Sequence, residues 1–183
     1  MEGIIEKNDL RVVKFLVQKG YILKNPRYCA IAAELGYLDI LQYLHENGCP
    51  WDSKTTFYAA HNGHLNCLTY ATENGCGFNS YISHCAARGG HLNCLKYVYD
   101  NMCVLNKHTC FIAAFNGQLE CLKYAHEHNF PWTKDTSYCA AKSGHLDCLV
   151  YAIANGCEFN KEDCLTAAID NKHPGIILHL ITA

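Results

Sequence analysis

Residues 63–79 read GHLNCLTYATENGCGFN, and their apolar positions follow a helical rhythm. Leu65, Leu68 and Ala71 lie at i, i+3 and i+6, with Cys67 and Ala71 four apart, which predicts one apolar stripe. The stripe ends at Asn74-Gly75, where glycine can take the left-handed conformation of a C-cap. The same rhythm returns as GYLDILQYLHENGCPWD from 36, GHLNCLKYVYDNMCVLN from 90, GQLECLKYAHEHNFPWT from 117 and GHLDCLVYAIANGCEFN from 144. The starts at 36, 63, 90, 117 and 144 are evenly spaced. A fixed period of this length signals a solenoid, in which each unit buries its apolar face only against its neighbours.

A second helix is predicted in each unit, ahead of the first pattern. It begins after Asn25, Asp52, Asn79, Asn106, Thr133 or Asn160, all residue types that accept a hydrogen bond from a first-turn amide. Pro26 suits the first helical position. This helix carries an Ala-Ala pair, from Ala32-Ala33 through Ala59-Ala60 to Ala167-Ala168, and stops at Gly36, Gly63, Gly90, Gly117 or Gly144. Small side chains at the pair let neighbouring helices approach closely. The aromatic column Phe15, Tyr43, Tyr70, Tyr97, Tyr124, Tyr151 is too regular for a binding site and is read as wall between units. The expectation is one all-α solenoid domain of about seven stacked helix-turn-helix units, approximately 1–24, 25–51, 52–78, 79–105, 106–132, 133–159 and 160–183. The first and last are atypical, as capping units are.

Composition narrows the setting. Half of the 183 residues are hydrophobic and 17% are charged, which argues against wholesale disorder. The formal net charge of −2 shows no general affinity for nucleic acid or an anionic membrane. No apolar run has the length of a membrane span, and the first residues lack a signal-peptide layout. Thirteen cysteines without a single C-x-x-C read as reduced thiols in a cytoplasmic or nuclear setting.

The stretch AAHNGHLNCLTYATENG resembles the ankyrin repeat, in which two alanines, a variable pair and Gly-His-Leu lead into a second helix. The recurrence of the motif covers essentially the whole chain. The familiar unit runs to about 33 residues and has a Thr-Pro-Leu-His opening. This chain is six shorter per unit and lacks that opening, so the resemblance implies β-hairpins shortened or absent. The variant Asn-Gly-Cys-Pro-Trp at Asn47 to Trp51 looks like the short arrays of giant DNA viruses of amoebae, which would place the protein in a host cytoplasm. The family implies a scaffold for protein–protein interaction, with first helices lining a concave wall.

Three chemical alternatives compete with a binding role. His64/Cys67, His91/Cys94 and His145/Cys148 share i, i+3 spacing, but each pair belongs to a separate unit, whereas zinc needs converging ligands. Gln118 replaces the histidine in the fourth unit without disturbing the helix signals, and Ile40 stands in the cysteine column. The nine-residue step Cys67, Cys76, Cys85, Cys94, Cys103 arises because three columns divide the period evenly. Catalysis would need a unique nucleophile with its base, and redox sensing an exposed thiol of low pKa. RNA binding by a helical-repeat solenoid is the runner-up function, weakened by Asp135 and Glu162 among the first-helix columns. No catalytic residue, metal ligand, cofactor or nucleic-acid partner is therefore assigned.

Partner binding remains. Repeating columns build the array, so columns that change are candidates for recognition. In the first helices these are 54, 57, 58 and 61 with their equivalents, including Arg27, Ala30, Ile31, Glu34, Cys85, Ile112 and Cys139. The proposed contact residues are Lys54, Phe57 and His61; Tyr81, His84 and Arg88; His108, Phe111 and Phe115; Asp135, Tyr138 and Lys142. Aromatic and Arg anchors are expected from Tyr81, Arg88, Phe111, Phe115 and Tyr138. The partner is an unidentified protein, the chain itself a monomer or weakly self-associating. Trp51 and Trp132 are expected to pack in turns, and His126 and His128 to face solvent.

Overall fold

Each unit opens on a capped helix. A computed structural model describes residues 1–21, 24–102 and 106–182. Within them the Oδ1 atoms of Asn25, Asp52, Asn79 and Asn106 accept from the amides of Arg27, Lys54, Tyr81 and His108 at 2.8–3.0 Å. Thr133 and Asn160 do the same for Asp135 and Glu162. Pro26 already has helical angles (φ −61°, ψ −18°), as its fixed ring favours. The first helices that follow these caps are α3 (Arg27–Glu34), α5 (Ser53–His61), α7 (Ile82–Gly89), α9 (Thr109–Phe115), α11 (Lys134–Ser143) and α13 (Lys161–Asp170). The second helices are α4 (Leu38–Glu46), α6 (Leu65–Glu73), α8 (Leu92–Met102), α10 (Leu119–Glu127), α12 (Leu146–Ala154) and α14 (Pro174–Thr182). A short α1 (Glu2–Ile5) and α2 (Leu10–Gln18) precede them, and the described residues hold no strand.

The pairs stack in chain order. Each first helix packs on the next first helix, from α3 on α5 to α11 on α13, and second helices pack likewise from α2 on α4 to α10 on α12. Between the first helices the Ala-Ala pairs are buried, which sets the close approach. Leu41, Leu68, Leu95, Leu122 and Leu149 are wholly buried on the second helices beside Cys67, Cys94, Cys121 and Cys148. Burial of one such leucine contributes about 1.5–3 kcal/mol, so the unit core is worth repeating.

Two ladders tie unit to unit. His45 Nδ1 meets the Tyr70 hydroxyl at 2.8 Å, Thr72 meets Tyr97 at 2.6 Å, and His126 meets Tyr151 at 3.0 Å. At the equivalent place Tyr99 packs edge-on against Tyr124. His45 also stacks on Trp51 at 3.7 Å, and His126 on Trp132 at 3.8 Å. Both tryptophans thus pack in turns. His126 and His128, expected in solvent, are half-buried: each lies against an aromatic ring, and His128 Nδ1 bonds the Tyr124 carbonyl. Phe15 departs from the tyrosine column and is 55% exposed on the terminal unit.

The second ladder explains the histidines after the glycine stops. Gly36, Gly63, Gly117 and Gly144 hold φ between +69° and +84°. The rings of His64, His91, His145 and His173, each from the next unit, occupy the space a Cβ would take there. Gln118 fills the same space above Gly90. His64 Nε2 bonds the Glu34 carbonyl at 3.1 Å, and His173 Nε2 that of Lys142 at 2.9 Å. Each histidine is thus a spacer between helix ends.

A candidate interface on the first helices

The inward face of each first helix is filled by small residues. In α5 these are Thr55, Thr56, Ala59 and Ala60; in α11 they are Thr136, Ser137, Ala140 and Ala141. Two of the buried hydroxyls are satisfied locally: Thr56 donates to the Gly77 carbonyl at 2.9 Å, Ser137 to that of Glu158 at 2.7 Å. The opposite face is left to longer side chains at i, i+3 and i+7.

None of the twelve proposed contact residues is buried; ten lie on the first helices, and Tyr81 and His108 immediately precede α7 and α9. Lys54, Arg88, Asp135 and Lys142 are exposed, as are Tyr81 (53%), Phe115 (42%) and Tyr138 (37%). Phe57, His61, His84, His108 and Phe111 are half-buried. The column of Tyr58 is mixed. Ile31 (8%), Cys85 and, from the neighbouring column, Ala30 are buried, so the changing residues at these places belong to helix packing. Elsewhere in the column Tyr58, Ile112 and Cys139 stay half-buried, so burial at this position varies from unit to unit.

The outer side chains gather in three clusters. Phe57 stacks on His61 (6.0 Å between centroids, 20° between planes). Tyr81 meets His84 edge-on at 6.2 Å, and His84 reaches across to Phe111 at 6.4 Å. His108 closes on Phe111 at 5.3 Å, while Lys142 Nζ lies 6.0 Å from the Tyr138 ring centre. Desolvation lowers the His84 pKa first, and the nearby His108 and Arg88 lower it further. The Nδ1 atoms of His61 and His84 are buried without a hydrogen-bond partner among the described residues.

Grooves run between the helices. One of about 520 Å³ lies between α9 and α11 and is lined by Lys107, His108, Phe111, Pro131, Tyr138 and Cys139. It adjoins a smaller one, about 210 Å³, through Asp135 and Tyr138. Another of about 430 Å³ lies between α3 and α5, with Arg27, Glu34, Lys54 and Tyr58 in its walls.

The thiols offer little chemistry. Eleven of the twelve described cysteines are buried, and Cys139 is half-buried; Cys103 lies outside the described residues. Burial pushes Cys67, Cys94 and Cys148 up to about 11, and Cys121 to about 12. Cys49 alone is lowered, by a hydrogen bond from Cys29, and both are buried. Cys76 and Cys157 donate to the carbonyls of Asp52 and Thr133 at 3.2 Å, bracing the helix caps. Among the described residues no three His, Cys, Asp or Glu side chains converge as a metal site, and no helix is long and apolar enough to cross a membrane.

A family model described as ankyrin repeats, three copies, matches residues 29–109 and again 56–135, together more than half of the chain. A crystal structure of the human ASB11 ankyrin repeat domain superposes with a TM-score of 0.70 at 20% identity. The superposition covers 84% of this chain and 81% of that one. None of the curated proteins matches the chain.

Proposed function

The chain belongs to the ankyrin-repeat family, and from that premise we propose that it binds a partner protein along the concave wall that its first helices line. Ankyrin repeats are generally protein–protein interaction modules. The observation that carries the proposal is the exposure of Tyr81, Phe115 and Tyr138 at changing columns of an otherwise repeating scaffold. Exposed aromatic side chains on a rigid framework bury much area at little entropic cost, which makes them natural anchors. The role is a scaffold's, without catalysis or cofactor. Free, mostly buried thiols suit a reducing compartment, and we assign the protein to the cytoplasm, as a monomer or weakly self-associating chain.

The test is affinity capture with quantitative mass spectrometry, using the wild type and a Tyr81/Phe111/Phe115/Tyr138→Ala variant. Partners retained by the first and lost from the second support the surface. Identical profiles, with circular dichroism showing both proteins folded, would sink it.

A further inference from the structure

Taking the first-helix face as a protein-binding surface, we infer that its occupant is an extended acidic segment with aromatic or aliphatic side chains between its carboxylates. The helices α5, α7 and α9 contain no Asp or Glu. From these helices and the residues leading into α9, that face presents the cations Lys54, Arg88 and Lys107 and the imidazoles His61, His84 and His108. The acidic residues of the same units lie on the second helices, as Glu73, Asp100, Glu120 and Glu127. Asp52 holds the α5 cap. Lys54, Arg88 and Lys107 form no ion pair among the described residues.

A chain of net charge −2 thus concentrates positive charge on one wall and leaves it unneutralised. Mutual repulsion among His61, His84, His108 and Arg88 adds to the cost of protonating His84, and an incoming carboxylate relieves it. The neighbouring groove of about 520 Å³, with Phe111, Pro131 and Tyr138 in its walls, has room for a large apolar side chain.

Packing distance sets the length. Four helices, α5 to α11, span about 27 Å at roughly 9 Å per helix, which an extended peptide crosses with about eight residues. The flanks favour a peptide over a nucleic acid. Glu34 on one side and Asp135 and Asp163 on the other bound the cationic stretch, and a continuing phosphate backbone would run into them. A short segment can place its carboxylates between Glu34 and Asp135 and carry only an apolar side chain into the groove that Asp135 borders.

The experiment is selection of a random peptide library of about eight residues displayed on phage, with the full chain as bait. Fluorescence anisotropy of the labelled consensus peptide follows, at low and at physiological salt. Enrichment of Asp or Glu beside aromatic or aliphatic residues is expected, and about tenfold weaker binding to an Arg88→Glu/Lys107→Glu variant. Replacing the peptide's carboxylates by amides should give the same loss with the protein unaltered. Neutral or basic consensus peptides that depend on Tyr81 and Phe111 would overturn the acidic occupant and leave the protein-binding surface standing. Peptides indifferent to both pairs of substitutions, or an empty selection, would overturn both. Poly(U) held at physiological salt more tightly than the peptides, through Arg88, would overturn the inference in favour of nucleic acid.

Discussion

Gly117 and Gly156 both hold the left-handed backbone, at φ +69° and +83°. Their surroundings differ. A Cβ at Gly156 would find nothing within 4 Å, whereas at Gly117 it would sit 2.5 Å from His145 Nδ1. Gly156→Ala should therefore show the backbone cost alone, about 1–2 kcal/mol. Gly117→Ala adds displacement of a packed ring, and over-packing of this kind costs about 1–3 kcal/mol more. The pair thus separates conformation from contact. His145→Ala in the Gly117→Ala background should return the second cost and leave the first, a coupling of about 1–3 kcal/mol in a double-mutant cycle. The assay is equilibrium urea unfolding followed by circular dichroism, read as shifts in the transition midpoint. Contacts here join nearest neighbours, so a weakened junction at Gly117 should also broaden the transition. Equal destabilisation by Gly117→Ala and Gly156→Ala, or additive behaviour with His145→Ala, would refute the spacer role of the ring.

Three further outcomes follow from buried groups. Burial lowers the His84 and His91 imidazoles below the ordinary 6.5, so the unfolded chain takes up protons first as pH falls. Stability is complete above 6.5 and declines from there toward the depressed folded values; a urea midpoint that is flat across this window would contradict it. His91→Gln, which copies Gln118 in the same column, should reduce the slope. Alkylation of the native protein followed by peptide mass spectrometry should label Cys139 ahead of the eleven buried thiols, and early labelling of Cys67 or Cys94 would contradict their burial. Thr56→Val keeps the volume but removes the hydroxyl that donates to the Gly77 carbonyl; a loss of about 1–3 kcal/mol is expected in urea unfolding, and no loss would mean water satisfies that carbonyl.

Much of the array is readable from residue spacing, because its determinants are local. Leu65, Cys67, Leu68 and Ala71 mark a buried stripe through helical geometry alone, and they pack as that geometry requires. The six caps act within two residues of themselves, and the glycine stops follow from the residue type that turns left-handed most freely, with Asn129 (φ +60°) and Lys172 (φ +61°) holding that turn after α10 and α13. The proposed contact residues rest on different ground, that recognition avoids repetition. None of the twelve is buried, yet the changing columns also take in Ala30, Ile31 and Cys85, which are.

What spacing could not supply is the offset between one unit and the next. An even period states that units repeat, without saying which atoms of neighbours meet. That His64 belongs to Gly36 of the unit before it, and His45 to Tyr70 of the unit after, depends on how helix pairs slide and rotate as they stack. The same stacking brought His126 against Tyr151 of the next unit, and drew His61, His84 and His108 from three units near one another. Helices, caps and stops are short-range and were written in the residue order; the spacers and this gathering of histidines arise across units, and exist only once close packing has chosen the register.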